Sequence, residues 1–227
     1  MSQGLPDHIV QNATYRRGRL AVWDKLDPRA TALLVIDMQN AWLAPGAPFE
    51  TPPAREIVPA VNRLAGALRA AGGAVVWIRH TTGAPGTADY WGLFFDNFIH
   101  ADVRQKTAEA LVEGHPMHAL YPALDVQPAD LVVNKNRFSA FVRNKTDLEA
   151  LLRGRGVDTL IISGTATNVC CESTAREAMM RDFRVFMPHD AVAAPHDDGH
   201  VAGLRTVMQA FADVRPVDEV ISLMGEK

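Results

Sequence analysis

The chain has 227 residues, room for one generous domain, and its composition of 48% hydrophobic and 22% charged residues suits a globular protein with a sizeable core. A formal net charge of −3 and the lack of a basic cluster argue against a nucleic-acid partner, and no apolar run approaches the roughly 18 residues that a membrane span needs. The start, Met1 to His8, lacks a cationic-then-apolar signal pattern, and the two cysteines are neighbours that make no disulfide framework, so a reducing, cytoplasmic compartment is expected.

Residues 1–29 read as a polar, irregular surface arm, typified by Tyr15-Arg16-Arg17-Gly18-Arg19. A single domain is expected over 30–227. Ala32-Leu33-Leu34-Val35-Ile36 is an apolar run of strand length ending at Asp37. Ile57 to Ala71 carries apolar residues at helical spacing (Ile57, Val61, Leu64, Leu68) and is stopped by Gly72-Gly73. Ala74 to Ile78 predicts a second strand, ending at Arg79-His80. The stretch from Thr81 to about Asp130 reads as long and irregular, rich in Gly, Pro, Trp, Phe and His, and stretches of that size carry function or short helices. Leu131 to Val133 predicts a third strand, leading to Asn134-Lys135, and Lys145 to Arg153 a helix. Strand four is Leu160 to Ser163, followed by a helix from Glu172 to Arg181. Strand five is Arg184 to Met187. A helix near Gly199 to Phe211 and a short strand near Val214 close the pattern. Continuous apolar strands alternating with amphipathic helices predict a parallel sheet covered on both faces, with ligands bound at the carboxyl ends of its strands.

Asp37, Lys135 and Cys170 all fall at such strand ends. Each has an ordinary alternative: a turn former, a surface charge, a small core residue. Together they suit nucleophilic catalysis, because a thiol that attacks a carbonyl needs a base, and a carboxylate in an apolar site has a raised pKa. The helix start after strand four is expected to favour the Cys170 thiolate, Lys135 to stabilise it electrostatically, and backbone N–H groups of the Thr165 to Cys170 loop to hold an oxyanion.

Three segments carry a resemblance: Leu33-Leu34-Val35-Ile36-Asp37-Met38-Gln39-Asn40; Val133-Asn134-Lys135-Asn136-Arg137-Phe138-Ser139-Ala140-Phe141; and Gly164-Thr165-Ala166-Thr167-Asn168-Val169-Cys170 through Ala178. In this order the chain resembles the isochorismatase-like cysteine hydrolases, which include nicotinamidases, N-carbamoylsarcosine amidohydrolases, ureidoacrylate amidohydrolases and biuret hydrolases. The resemblance covers Ala32 to the C-terminus. It implies a three-layer α/β/α fold with a six-stranded parallel sheet and a triad of Asp37, Lys135 and Cys170. It also implies a non-proline cis peptide at Thr165-Ala166, an oxyanion hole from the N–H groups of Ala166 and Cys170, and a homo-oligomer, either dimer or tetramer. Cys171 stands where the family has valine, and is expected to be a buried small residue rather than half of a redox pair.

No cofactor is expected. The Asp-x-His metal pattern of nicotinamidases is replaced here by Arg79-His80-Thr81-Thr82, with His100, His115 and His118 scattered beyond, so no metal site is expected. The implied reaction is C–N hydrolysis of a small amide or an ureido/N-carbamoyl compound through a thioester, releasing ammonia or an amine. Thr167-Asn168-Val169-Cys170 with Glu172-Ser173-Thr174 looks most like the ureidoacrylate-type members. The alternatives are an isochorismatase-type vinyl ether hydrolase, a nicotinamidase, and a non-catalytic binding member of the fold. Candidate substrate contacts are Gln39, Asn40, Trp42, Arg137, Phe141 and Asn168, with Tyr90, Trp91, Phe94, Phe95 and Phe98 as further material for an aromatic wall or for ordinary core.

Overall fold

The computed structural model describes residues 6–142 and 145–225. Its elements, in chain order, are α1 (Asp7–Arg17), β1 (Thr31–Ile36), α2 (Asn40–Leu43), α3 (Pro53–Glu56), α4 (Val58–Ala70), β2 (Ala74–His80), α5 (Gly92–Phe98) and α6 (Ala101–Glu109). There follow β3 (Leu131–Lys135), α7 (Leu148–Arg153), β4 (Thr159–Thr165), a π-helical turn (Thr167–Cys171), α8 (Glu172–Met180), β5 (Arg184–Phe186), β6 (Val192–Ala193), α9 (Asp197–Ala210) and α10 (Val217–Ser222).

The six strands form one parallel sheet in the order β3-β2-β1-β4-β5, with β6 continuing beside the end of β4. Every residue of β1 and β4 is buried, as their unbroken apolar runs require of central strands covered on both faces. One face packs Leu34, Ile36 and Ile162 against α7, α8 and α9. The other packs Leu33, Val35 and Trp77 against α4 and α10. The periodic residues Val61, Leu64 and Leu68 of α4 are fully buried, each contributing about 1.5–3 kcal/mol of hydrophobic stabilisation.

Two expectations change. Within 1–29, residues 1–5 lie outside the described residues, but Asp7–Arg17 is a helix that buries Ile9 and Ala13 against the core. The backbone N–H groups of Val22 and Trp23 donate to the buried Asp213 carboxylate at 2.8 and 3.1 Å, tying the following segment to the sheet. The described part of the segment is therefore helical and docked rather than irregular. Its polar sequence hides this, because two small contacts leave no apolar stripe. The sixth strand is Val192–Ala193, not the region of Val214, where Asp213 makes only an isolated bridge to Phe186. α10 follows it. The stretch after β2 is built around α5, α6 and a short 3-10 turn at Pro116–His118.

Gly164 fixes the close approach of the two central strands. It pairs with Ile36 at φ +108°, and a Cβ there would stand 2.1 Å from the Ile36 carbonyl oxygen. Only glycine fits, directly beneath the strand end that carries Asp37.

Candidate active site

β1, β3 and the turn after β4 bring Asp37, Lys135 and Cys170 together. Asp37 leaves β1 at φ 53°, a left-handed conformation that Asp tolerates better than most residues. The Lys135 ammonium lies 2.8 Å from Asp37 Oδ2, with neither side chain exposed. It donates to the Arg137 carbonyl at 3.1 Å and stands 3.1 Å from His80 Nδ1 and 3.4 Å from Cys170 Sγ. An ammonium has three protons. Here they are shared among four acceptors, and the thiol makes the longest contact.

Burial pushes the Asp37 carboxyl above the usual carboxylate range, and Lys135 opposes that rise. Burial pulls the Lys135 ammonium down, but Asp37 and Cys170 together more than offset it, and the net shift is upward. The 2.8 Å contact between Asp37 and Lys135 is that of a carboxylate–ammonium pair. The Cys170 thiol is raised, first by burial and then by the Asp37 charge. This corrects the expectation that a helix start favours the thiolate: Cys170 is itself buried within the π-helical turn, and burial is the largest influence on its thiol. The carboxylate, the His80 ring nitrogen and Sγ lie within 4.8 Å of one another, donors of the kind that hold a metal. The Lys135 ammonium already contacts all three.

His80 stands in the stretch that replaces the nicotinamidase metal pattern, with no catalytic role expected of it. It ends β2, beside β1 and β3, and so belongs to the same strand-end cluster. Burial, Lys135 and Arg137 hold its pKa well below the ordinary value, so the ring is neutral. The ammonium has no lone pair, so Nδ1 accepts from it and the ring proton sits on Nε2. His118 bonds Thr81 Oγ1 at 2.7 Å, while His100 and His115 cap short helices.

The peptide bond Thr165-Ala166 is cis. Ala166, Val169 and Cys170 line one wall of a 390 Å³ cavity, completed by Trp42, Pro48, Phe49, Glu50, Thr51, His80, Phe94, Leu111, Phe138 and Pro195. Thr174 sets the Cys170 turn: its Oγ1 donates to the Cys170 carbonyl at 2.7 Å and accepts from the Ala140 N–H at 3.1 Å. That couples the nucleophile's turn to the loop after β3, a role with no sequence signal beyond the i+4 spacing.

The predicted substrate contacts divide. Trp42 lines the cavity, stacked on Phe49 at 5.2 Å. Gln39 does not reach it. Its amide donates to the His80 and His118 carbonyls at 3.2 and 2.8 Å and accepts from the His80 N–H at 2.7 Å, clamping the ends of β1 and β2. Asn40 donates to the Pro116 carbonyl, and Phe141 packs against Phe183 with Arg181 over its ring. Asn168 is seated against Gly199 and Gly203 of α9. The Arg137 guanidinium meets Asn136 and the face of Trp91 and lines a neighbouring polar depression of 280 Å³. Of the aromatic segment, Phe94 faces the cavity and Phe95 is core. Trp91 stacks on His80 at 6.3 Å, and Phe98 is exposed. Cys171 is fully buried, in the place expected of a small apolar residue.

The family model described as "Isochorismatase domain" matches residues 31–219. This chain belongs to the isochorismatase family. It is 34% identical to a ureidoacrylate amidohydrolase RutB from Methylobacterium radiotolerans, over 88% of this chain and 81% of that protein. A cysteine hydrolase from Pseudomonas syringae pv. phaseolicola has a similar structure, with a TM-score of 0.79 and 29% identity, covering 99% of this chain and 98% of that one. An N-carbamoylsarcosine amidase from Thermoplasma acidophilum shares the fold, with a TM-score of 0.65 and 24% identity, covering 83% of this chain and 96% of that one.

Proposed function

We propose that this isochorismatase-family hydrolase cleaves the C–N bond of a small amide or ureide through a thioester on Cys170. The observation that carries the reading is the buried Asp37–Lys135–Cys170 cluster opening onto an apolar cavity. Asp37, with its raised pKa, takes the thiol proton, and the adjacent Lys135 ammonium stabilises the thiolate. The sulfur attacks the carbonyl carbon and a C–S bond forms. The charge that develops on oxygen meets the N–H groups of Ala166 and Cys170. As the tetrahedral species collapses the C–N bond breaks, and the amine or ammonia leaves with the proton from Asp37. Asp37 then deprotonates a water that attacks the thioester, and the proton returns to sulfur as the acid departs.

Ammonia release from nicotinamide, biuret, N-carbamoyl amino acids and maleamate tests the reaction class. Silence across that panel, from folded protein whose Cys170 is labelled at alkaline pH, would overturn it. The same reading takes the protein as a dimer or tetramer. Exposed Leu93 and Phe98 on α5 support that, and light scattering that returned a monomer would contradict it.

A further inference from the structure

We infer that the cavity beside Cys170 selects an uncharged amide or ureide with an apolar tail and disfavours substrates bearing a carboxylate. The inference rests on the proposed role of Cys170 and narrows it to a substrate class.

The walls supply the positive selection. Trp42 stacks on Phe49 on one side, and Phe94 meets Phe138 edge-on at 5.4 Å on another. Flat aromatic surfaces of this kind favour planar or alkyl groups, and their burial is favourable in proportion to the apolar area covered. Charge supplies the counter-selection. Among the described lining residues the one ionisable side chain besides His80 and Cys170 is Glu50, an anion. It is held in place by the Gly46 N–H at 2.8 Å and by Arg55 at 3.0 Å. Lys135 lies behind Cys170 with its charge already matched by Asp37, and the Arg137 guanidinium sits in the neighbouring depression. A carboxylate entering this cavity loses water beside an anion and meets no lining cation among the described residues, an expensive transfer.

A neutral substrate finds one specific partner. His80 is 3% exposed and lines the cavity, and its Nε2 has no hydrogen-bond partner. With Nδ1 committed to Lys135, Nε2–H is a buried donor waiting for an acceptor, and burying such a group unpaired is costly. A neutral acceptor on the substrate, such as a second carbonyl, satisfies it without bringing charge.

The test compares matched pairs differing only in the carboxylate: hexanamide against adipamate, and propylurea against N-carbamoyl-β-alanine. Turnover is followed by ammonia release, and binding by calorimetry on the Cys170→Ala variant, which reports on the cavity without chemistry. The expected result is a preference of about tenfold or more for the neutral member in kcat/KM, and tighter binding of it to Cys170→Ala. Preference for the carboxylate member, or no difference, would overturn the inference while leaving Cys170 as nucleophile. Binding of the neutral member without turnover of either would support the cavity reading and count against the hydrolase reading. Neither binding nor turnover would overturn both.

Discussion

Replacing Lys135 by methionine keeps an unbranched side chain one atom shorter and removes the charge that Asp37 faces at 2.8 Å in a fully buried site. At an effective dielectric of about 20 the gross attraction over that distance is about 6 kcal/mol, and breaking a buried pair by removing one partner costs about 3–5 kcal/mol of stability. The effect should depend on pH. A carboxyl whose folded pKa lies above its unfolded value stabilises the fold below the unfolded pKa, and that stability is lost as pH rises toward the folded pKa. Burial already raises Asp37, and without the ammonium only the hydrogen bonds from Cys170 and the His80 backbone oppose the rise. The deficit of Lys135→Met relative to wild type should therefore grow between acidic and neutral pH, by up to about 1.4 kcal/mol per unit over the window between the two folded pKa values. Urea unfolding at a series of pH values measures it. Adding Asp37→Asn should restore about 1–3 kcal/mol at neutral pH, because the uncompensated carboxylate is gone, and leave the enzyme inactive. A deficit that does not vary with pH, or a double variant no more stable than the single, would refute the electrostatic account of the cluster.

Cys170→Ala should abolish amide hydrolysis, whereas Cys171→Ala should keep activity within a few-fold and lose about 1 kcal/mol of core packing, both checked by ammonia release and unfolding. Iodoacetamide should label Cys170 slowly at neutral pH and faster as pH becomes alkaline, because burial and Asp37 hold the thiol protonated; rapid labelling at neutral pH would contradict the resting state. Gly164→Ala should cost about 3 kcal/mol or more in denaturant unfolding, since its Cβ meets the Ile36 backbone, and a near-wild-type midpoint would show that β1 and β4 can part there.

The parallel sheet was legible because β1 and β4 are buried on both faces and so read as unbroken apolar runs. The clustering of Asp37, Lys135 and Cys170 followed from strand polarity, and the same reasoning reaches His80 at the end of β2. β6 was not legible: two residues that pair only with the last two of β4 leave no pattern. Gln39 and Asn40 read as polar contacts for a substrate, but backbone groups at the strand ends need partners, and these amides supply them. Phe49, Glu50 and Thr51 reach the cavity through the loop between α2 and α3, whose path no local periodicity encodes.

Hydrolysis by this route passes through a covalent intermediate on Cys170. Rapid acid quench during turnover of a hydrolysed amide, followed by peptide mass spectrometry, tests it directly. The expected result is an acyl adduct on the peptide carrying Cys170, absent from Cys170→Ala protein. Steady turnover with no adduct, together with an active Cys170→Ala variant, would contradict it.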